Sequence, residues 1–251
     1  MNGEPQVSGI LNGKVALITG VGPGGQGEAT AQLFAREGAS VVVVDINEEW
    51  AETCAKRIVG EARFARVDVA KESDWNKAVD LCSKTFGRLD ILVNNAAIHK
   101  TASLEETTRL EFERFFQVNQ LSVYLGMSAC LPLLKQSKGC IINVSSIAAA
   151  NGSPNAFAYS ASKWAVRGMT RCAARDLGSY GIRVNCVMPG YIDTDMTSHV
   201  PEVRRNAAVA ATPIGRIGTP SDVAEVLLFL ASNAARFVNG TDVVVDGGLV
   251  S

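Results

Sequence analysis

The chain has 251 residues, of which 47% are hydrophobic and 20% charged, and its formal net charge is −1. These values are ordinary for a globular protein with a sizeable core, and they exclude the basic surface of a protein that binds nucleic acid or anionic membranes. No apolar run reaches the roughly 18 residues of a membrane span, the N-terminus does not resemble a signal peptide, and the six cysteines are scattered, so we expect a cytoplasmic protein without disulfides or a metal site.

Short apolar runs alternate along the chain with helix-length amphipathic stretches. Residues 1–12 are predicted to be a tail and residues 13–251 a single domain. The predicted strands are Val15–Thr19, Val41–Val44, Phe64–Val67, Ile91–Val93, Cys140–Val144, Val184–Val187 and Val243–Val245. The predicted helices are Glu28–Glu37, Glu48–Ile58, Asp74–Phe86, Leu110–Lys135, Ala158–Leu177 and Asp222–Leu230. This alternation predicts one doubly wound, Rossmann-like α/β domain with a seven-stranded, mostly parallel sheet flanked by helices.

A glycine-rich turn joins the first predicted strand to the first predicted helix, in the sequence Gly20-Val-Gly-Pro-Gly-Gly-Gln-Gly27. Glycines let the backbone turn tightly and approach a pyrophosphate, which then lies at the helix N-terminus. An acidic residue about 20 positions later completes the dinucleotide-binding pattern, and Asp45 ends the second strand 18 residues after Gly27. A carboxylate there accepts hydrogen bonds from ribose hydroxyls and repels a 2′-phosphate. With no Arg or Lys in the turn or directly after Asp45, the sequence favours NAD over NADP.

Tyr159 and Lys163 are four residues apart in a predicted helix, so their side chains lie on one face. A lysine ammonium close to a phenol lowers the phenol pKa, which turns a poor base into a usable one. The pair predicts acid–base chemistry at this helix.

The segment between Asp193 and Pro220 has little helical period and is rich in proline and glycine. An irregular segment of this length in a compact domain is usually functional or mobile. We expect a substrate lid at about residues 191–219.

Together these motifs resemble the short-chain dehydrogenase/reductase family in its single-domain, NAD-dependent form, from about Lys14 to Gly248. The resemblance implies that the turn binds NAD through Gly20, Gly25, Gln26 and Gly27, although this turn is one residue longer than the family's. It further implies adenine contacts from Asp68 and Val69 and contacts near the nicotinamide ribose from Asn95 and Ala96, within Asn94-Asn95-Ala96-Ala97. Pro189, Ile192 and Thr194 would hold the nicotinamide, and Tyr159 and Lys163 also contact the cofactor.

The resemblance also implies a catalytic set of Asn119, Ser146, Tyr159 and Lys163. Tyr159 would be the general base or acid for hydride transfer between a secondary alcohol or ketone and NAD(H). Ser146, rather than Ser145, would bind the substrate oxygen, and Lys163 would lower the Tyr159 pKa and bind the ribose. Asn119 would steady a water that links Lys163 to solvent. A homotetramer paired through the helices 108–135 and 157–178 and through the C-terminal strand is implied as well.

Other functions remain open at this stage. The chain could be a non-catalytic NAD-binding redox sensor or scaffold, or a 3-oxoacyl thioester reductase, which more often uses NADPH. A nucleotide-sugar epimerase or dehydratase usually needs a further C-terminal domain. His99, after the fourth strand, is either a substrate contact or an exposed loop residue.

Overall fold

The computed structural model describes residues 9–198 and 201–250, which form a seven-stranded parallel sheet with helices on both faces. The strands are β1 Val15–Thr19, β2 Ser40–Asp45, β3 Ala62–Arg66, β4 Ile91–Asn94, β5 Cys140–Val144, β6 Arg183–Pro189 and β7 Asp242–Val245. Their spatial order is β3-β2-β1-β4-β5-β6-β7. The predicted α/β class and all seven predicted strands are confirmed, with strand ends shifted by two residues at most.

The helices are α1 Gln26–Arg36, α2 Glu48–Arg57, α3 Glu72–Phe86, α4 Arg109–Phe115, α5 Ser122–Ser137, α6 Ala148–Asn151, α7 Phe157–Leu177, α8 Asp195–Ser198, α9 Glu202–Ala211 and α10 Pro220–Ala231. Capping boxes at Thr108 and Thr219 begin α4 and α10, because each threonine hydroxyl and the acidic residue three positions later satisfy each other's backbone amides.

The strands separate two apolar layers because successive side chains point to opposite faces. Ala16 and Ile18 of β1 pack on the side of α1 and α10, whereas Val15 and Leu17 pack on the side of α3 and α5. The inner strands β2, β1, β4, β5 and β6 are buried on both faces, which explains why their sequences are almost continuously apolar, whereas the edge strands β3 and β7 are more exposed.

The strand order reverses direction at β1, whose neighbours are β2 on one side and β4 on the other. Connections from β1 and β4 therefore leave towards opposite faces of the sheet. Ligands of open parallel sheets bind in the crevice at the carboxyl ends of the strands at such a switch point.

Two segments that were predicted to be irregular contain ordered structure. Of the predicted tail, residues 1–8 lie outside the described residues, but Leu11 is buried in the core and its amide donates to the Glu37 carbonyl at 2.9 Å. The prediction that residues 193–220 lack regular structure is wrong, because this segment contains α8 and the ten-residue α9. The prolines that suggested irregular structure, Pro201 and Pro213, lie outside the ten residues of α9, whose less exposed residues Arg205, Ala208 and Val209 recur at helical spacing.

The predicted helix Leu110–Lys135 is also not one α-helix. It is interrupted by a π-helical turn at Phe116–Leu121, which joins α4 to α5. Such widened turns are rare and frequently lie at functional sites.

Within residues 9–198 and 201–250, no helix combines the length and apolar character that a membrane crossing requires. The same residues contain no group of three or more His, Cys, Asp or Glu side chains arranged to hold a metal ion.

Candidate active site

Lys163 lies in the middle of the site, on the face of α7 that packs against the end of β5. Its side chain is buried, and its Nζ donates to the carbonyl of Val144 at 2.9 Å. The last residue pair between β4 and β5 is Asn94 with Asn143. Val144 lies one residue beyond this pair, so its carbonyl is available to the Lys163 ammonium. An ammonium has three N–H donors, so two remain for a ligand.

Burial lowers the pKa of Lys163 to about 8. Within the described residues no carboxylate forms an ion pair with it, so the cost of desolvation is not offset. The ammonium is therefore held in an environment that favours its neutral form, as is common for functional groups in clefts.

Tyr159 lies one helical turn before Lys163, as the spacing predicts. The Lys163 Nζ is 5.8 Å from the centroid of the Tyr159 ring. Burial raises the pKa of the Tyr159 phenol above its ordinary value, and a hydrogen bond from Ser146 opposes that rise. The ammonium therefore does not make the phenol acidic in this structure, and burial favours the neutral forms of both groups.

Two aromatic rings fix the orientation of Tyr159. Phe115 of α4 meets its ring edge-on with centroids 6.5 Å apart, and His99 does so at 4.8 Å. His99 is thus both an exposed loop residue and a direct neighbour of the phenol. The His99 ring centroid lies closer to the centroid of the Tyr159 ring than the Lys163 Nζ does.

The two serines at the end of β5 have different partners. Ser145 is buried and its hydroxyl donates to the Lys163 carbonyl at 2.8 Å, which ties β5 to α7. Ser146 accepts from the Ala148 amide at 3.1 Å and hydrogen-bonds to Tyr159. Ser146 is therefore the serine that shares a pocket with the phenol.

Asn119 lies in the π-helical turn and is almost fully buried. Its amide brackets Ile98, accepting from the Ile98 amide at 2.8 Å and donating to the Ile98 carbonyl at 3.0 Å. The second amide hydrogen donates to Ser162 at 3.1 Å. Asn119 thus holds the loop after β4 against α7. Among the described residues its hydrogen bonds go to these partners and not to Lys163.

The glycine turn is held by direct backbone contact. A side chain at Gly20 would bring its Cβ within 2.6 Å of the Ala96 Cα, and one at Gly27 would overlap the Gly20 carbonyl. Asn95 donates its amide hydrogens to the carbonyls of Thr19 and Gly20 at 2.9 and 2.8 Å. The Asn95 side chain therefore shapes the turn, and a cofactor contact from this residue would come from other atoms.

The start of α1 fits a pyrophosphate. Gly25 is the N-cap residue and gives no side-chain cap, so the first amides of the helix are available to an anion. Glu28 in the first turn is buried, but its carboxylate accepts from the Gly24 amide at 2.8 Å and pairs with Arg57 at 3.0 Å. Since its charge is compensated by Arg57, Glu28 supports the turn without closing it to a phosphate.

Asp45 ends β2 next to this turn and is 7% exposed. Burial raises its pKa, and backbone amides, that of Asn47 first, oppose the shift. The sequence did not reveal the cation beside it: Arg66 faces Asp45 in the β2–β3 register, and its Nε donates to the Ile46 carbonyl at 3.2 Å.

Asp68 and Val69 follow β3 on the same edge of the sheet. Val69 is buried, and its carbonyl accepts from the Trp75 indole at 2.9 Å. Asp68 accepts from the Ala70 amide at 3.1 Å and pairs with Lys71 at 3.4 Å. Both residues follow the carboxyl end of β3, the strand that pairs with β2 up to Asp45.

The segment after β6 covers the other side of the crevice. Pro189 ends β6, and its carbonyl accepts from the Ile147 amide at 3.0 Å. Ile192 is buried, and Thr194 donates its amide to the Thr197 hydroxyl at 3.0 Å. Further along, Arg205 of α9 forms a two-pronged ion pair with Asp193 at 2.8 and 2.7 Å. That pair fastens α9 beside the site.

The structure thus places every predicted site residue at the carboxyl edge of the sheet or on the helix start facing it. Residues that the motifs did not single out hold this arrangement: Thr19, Glu28, Arg57, Phe115 and Ser162. Thr19 and Ser162 lie inside motifs that the sequence did show. The roles of Glu28, Arg57 and Phe115 depend on contacts between elements that are distant in sequence, so the sequence alone does not indicate them.

Comparison with known proteins gives one family match. A family model described as enoyl-(acyl carrier protein) reductase matches residues 20–250.

Individual relatives align over nearly their whole length. Cyclopentanol dehydrogenase of Comamonas sp. (strain NCIMB 9872) is 44% identical, with 96% of this chain and 98% of the relative covered. A 3-alpha-(or 20-beta)-hydroxysteroid dehydrogenase of Mycobacterium tuberculosis is 39% identical, with 98% and 92% covered. The 3-oxoacyl-(acyl-carrier-protein) reductase FabG of Thermotoga maritima is 39% identical, with 96% and 99% covered.

Proposed function

Since this chain belongs to the short-chain dehydrogenase/reductase family, we propose that it is an NAD-dependent oxidoreductase that transfers a hydride between a secondary alcohol, or the matching ketone, and the nicotinamide. The observation that carries the proposal is the convergence of Ser146, Tyr159 and Lys163 at the carboxyl end of β5, on the same edge of the sheet as the glycine turn after β1. A non-catalytic NAD-binding protein would have no need of this set.

Bound NAD would accept the hydride at the nicotinamide ring. In the oxidative direction Tyr159 takes the proton of the substrate hydroxyl, and in the reductive direction it returns one. Ser146 hydrogen-bonds both to the phenol and to the substrate oxygen, which fixes the distance between them. Phe115 and His99 hold the phenol ring in place, so its orientation does not depend on the substrate.

Lys163 has two tasks in this mechanism. Its two remaining N–H groups bind the ribose hydroxyls of the nicotinamide half of the cofactor. Its charge, together with the positive charge of an oxidised nicotinamide, stabilises the phenolate that burial alone disfavours. Tyr159 is therefore expected to become a base only in the loaded enzyme.

The preference for NAD rests on Asp45. Its carboxylate would accept hydrogen bonds from both adenosine ribose hydroxyls and repel a 2′-phosphate. Arg66 works in the other direction, because it is the cation nearest along the sheet to that position. We propose that the buried carboxylate dominates, since the Arg66 side chain is exposed and screened.

The isosteric change Asp45→Asn tests this preference. The variant keeps the acceptor for the Asn47 amide, at 3.0 Å in the structure, but removes the negative charge. We expect NADP affinity to rise at least about tenfold. Removing the repulsion between the Asp45 carboxylate and a 2′-phosphate about 4 Å away is worth about 1–4 kcal/mol. Fluorescence titration with NADH and NADPH measures both affinities. An unchanged ratio of the two affinities would contradict the role of Asp45.

For the substrate we propose a cyclic secondary alcohol. Two relatives are named for cyclopentanol and for hydroxysteroids. The alanines at positions 148–150 do not define the pocket, because Ala149 is buried against Cys186 and Met188 and Ala150 packs on the same cluster. The substrate class is therefore proposed from these two relatives alone.

A substrate panel separates the candidate activities. NADH formation at 340 nm is measured with cyclopentanol, cyclohexanol, a hydroxysteroid and linear secondary alcohols, each with NAD and with NADP. In the reverse direction the panel includes an acetoacetyl thioester, because one relative is named as a 3-oxoacyl-(acyl-carrier-protein) reductase. Turnover of the thioester alone, with NADPH, would favour that second function. NAD binding without turnover of any member would favour a sensor or scaffold.

We extend the proposal to a homotetramer paired through the α4–α5 and α7 helices and through β7. Large aromatic side chains on these helices are exposed in the single chain, which supports the pairing: Phe112, Phe116, Tyr124, Phe157 and Trp164. β7 is an edge strand of the sheet. Sedimentation equilibrium should give about four times the chain mass of 26.6 kDa, and a monomer would refute the pairing.

A further inference from the structure

A small basic cavity opens at the edge of the sheet opposite the candidate active site. Its floor contains Ile91, Cys140 and Arg183, the first residues of three neighbouring strands, which lie side by side in register. Its volume is about 210 Å³, below the roughly 300–1,000 Å³ of a pocket for a drug-sized ligand or cofactor. Only a small ligand fits it.

The cavity is lined by an excess of positive charge. Four cationic side chains border it: Lys14, Lys138, Arg183 and Arg236. Asp90 is the only acidic residue among its lining residues in the described part of the chain. The lining therefore carries a formal charge of about +3 before its surroundings are counted.

Asp90 pairs with Lys14 and with Arg88, so no carboxylate of the described lining residues is left to compensate Lys138, Arg183 and Arg236. Arg88, outside the lining, binds Asp90 through two N–H groups at 2.8 and 2.6 Å. Lys14 lies at 3.3 Å and the Val15 amide donates at 3.0 Å. Burial raises the pKa of the Cys140 thiol to about 11, so this neighbour stays neutral as well.

Arg183 supplies a donor that the protein leaves unused. Its Nη2 donates to the carbonyls of Leu230 and Ser232 at 2.8 and 3.4 Å. Its Nη1 is buried and has no hydrogen-bond partner among the described residues. The nearby Cys140 thiol is at most a weak acceptor. Buried donors in native proteins nearly always have a partner, so this donor is available to a polar group that enters the cavity.

We propose that the cavity binds a small oxyanion of the phosphate type. Arginine guanidinium groups match the geometry of phosphate oxygens, and lysines add charge without a directional requirement. Arg183 would donate its Nη1 from the floor, and Lys138 and Arg236 would close over the anion from the rim. The anion is either free phosphate or the phosphate group of a small metabolite. This inference does not depend on the function proposed above.

The test uses the full chain with saturating NAD, so that the dinucleotide groove is filled, and titrates inorganic phosphate at constant ionic strength by isothermal titration calorimetry. The variant Lys138→Asn/Arg236→Gln removes two rim charges. Asparagine suits position 138 because its φ is 51°, in the left-handed region. The control variant Arg36→Gln/Arg175→Gln removes the same charge from exposed positions elsewhere.

We expect saturable phosphate binding that weakens at least tenfold in the cavity variant and is unchanged in the control. A rise in melting temperature with phosphate should follow the same pattern, since a ligand that binds only the native state stabilises it. The site does not exist if phosphate fails to saturate, or if both variants lose binding equally. A parallel titration with glycerol 3-phosphate distinguishes the two sources. Tighter binding than free phosphate would assign the cavity to a phosphorylated metabolite, and weaker binding to the free ion.

Discussion

Replacing Tyr159 by phenylalanine is expected to lower turnover by about 10²–10⁴-fold, the usual contribution of a positioned acid–base group, while NAD still binds. The change removes one oxygen and keeps the ring between Phe115 and His99. Neither Ser146 nor Lys163 can replace it as the base. A serine hydroxyl is far less acidic, and Lys163 is held away by the Val144 carbonyl while its two other N–H groups are expected to bind the ribose.

The measurement is the initial rate of NADH formation with any alcohol that the wild-type protein oxidises, beside a titration of NAD binding. Tyr180→Phe is the matched control, because it removes the same hydroxyl from an exposed tyrosine away from the site. A Tyr159→Phe rate within tenfold of wild type would refute the assignment of the general base.

Lys163→Met should abolish turnover to a similar extent and also weaken NAD binding. Methionine fills a similar volume but brings neither the charge that stabilises a phenolate nor the N–H groups for the ribose. Loss of two such hydrogen bonds, at about 1 kcal/mol each, corresponds to roughly 30-fold weaker binding. Tyr159→Phe is expected to spare NAD affinity, so the two variants separate proton transfer from cofactor binding.

The same substitution has a distinct effect on stability of the cofactor-free protein. The pKa of Lys163 falls from 10.5 to about 8 on folding, so the unfolded chain binds the proton more tightly. Below about pH 8 the charged lysine therefore destabilises the fold, on the order of 3 kcal/mol, and this penalty disappears as pH rises from about 8 to 10.5. Methionine removes the penalty but leaves the Val144 carbonyl without its donor, which costs about 1–3 kcal/mol.

Urea unfolding of both proteins between pH 7 and 10.5 tests this. The stability of Lys163→Met relative to wild type should fall by roughly 3 kcal/mol across the interval. Wild type is stabilised as the buried lysine loses its charge, whereas the variant has no charge to lose at this position. Titration of the buried cysteines affects both proteins and cancels in the difference. Lys84→Met, at an exposed surface lysine, should show no such change. A difference that does not vary with pH would mean that Lys163 is not a destabilised cation.

The five inner strands were predictable because they are buried on both faces, and a run such as Val41-Val-Val-Val44 has no other stable environment. The proximity of Tyr159 and Lys163 was predictable because the two residues are local in sequence. The direction of the Tyr159 pKa was not, since it depends on burial by Phe115 and by the loop that carries His99. Such contacts join residues more than 40 positions apart.

Two further features escaped prediction for physical reasons. α9 is only ten residues long and lies in a segment rich in proline and glycine, so the flanking residues concealed its helical pattern. The Arg66 side chain is brought to the carboxyl end of β2 by the β2–β3 register. Arg66 lies far from Asp45 in sequence, so the residues that directly follow Asp45 do not reveal it.

The π-helical turn at Phe116–Leu121 determines which face of α5 is directed towards the sheet. Each α-helical residue advances by about 100°, so if the same residues formed an uninterrupted α-helix, everything beyond this turn would be rotated by more than a quarter of a circle relative to α4. Asn119 could then bracket Ile98 only if Leu133 and Leu134 left the core, or the reverse. The extra residue of the π-helical turn therefore allows Asn119 to face the loop after β4 while Leu133 and Leu134 of α5 face the sheet.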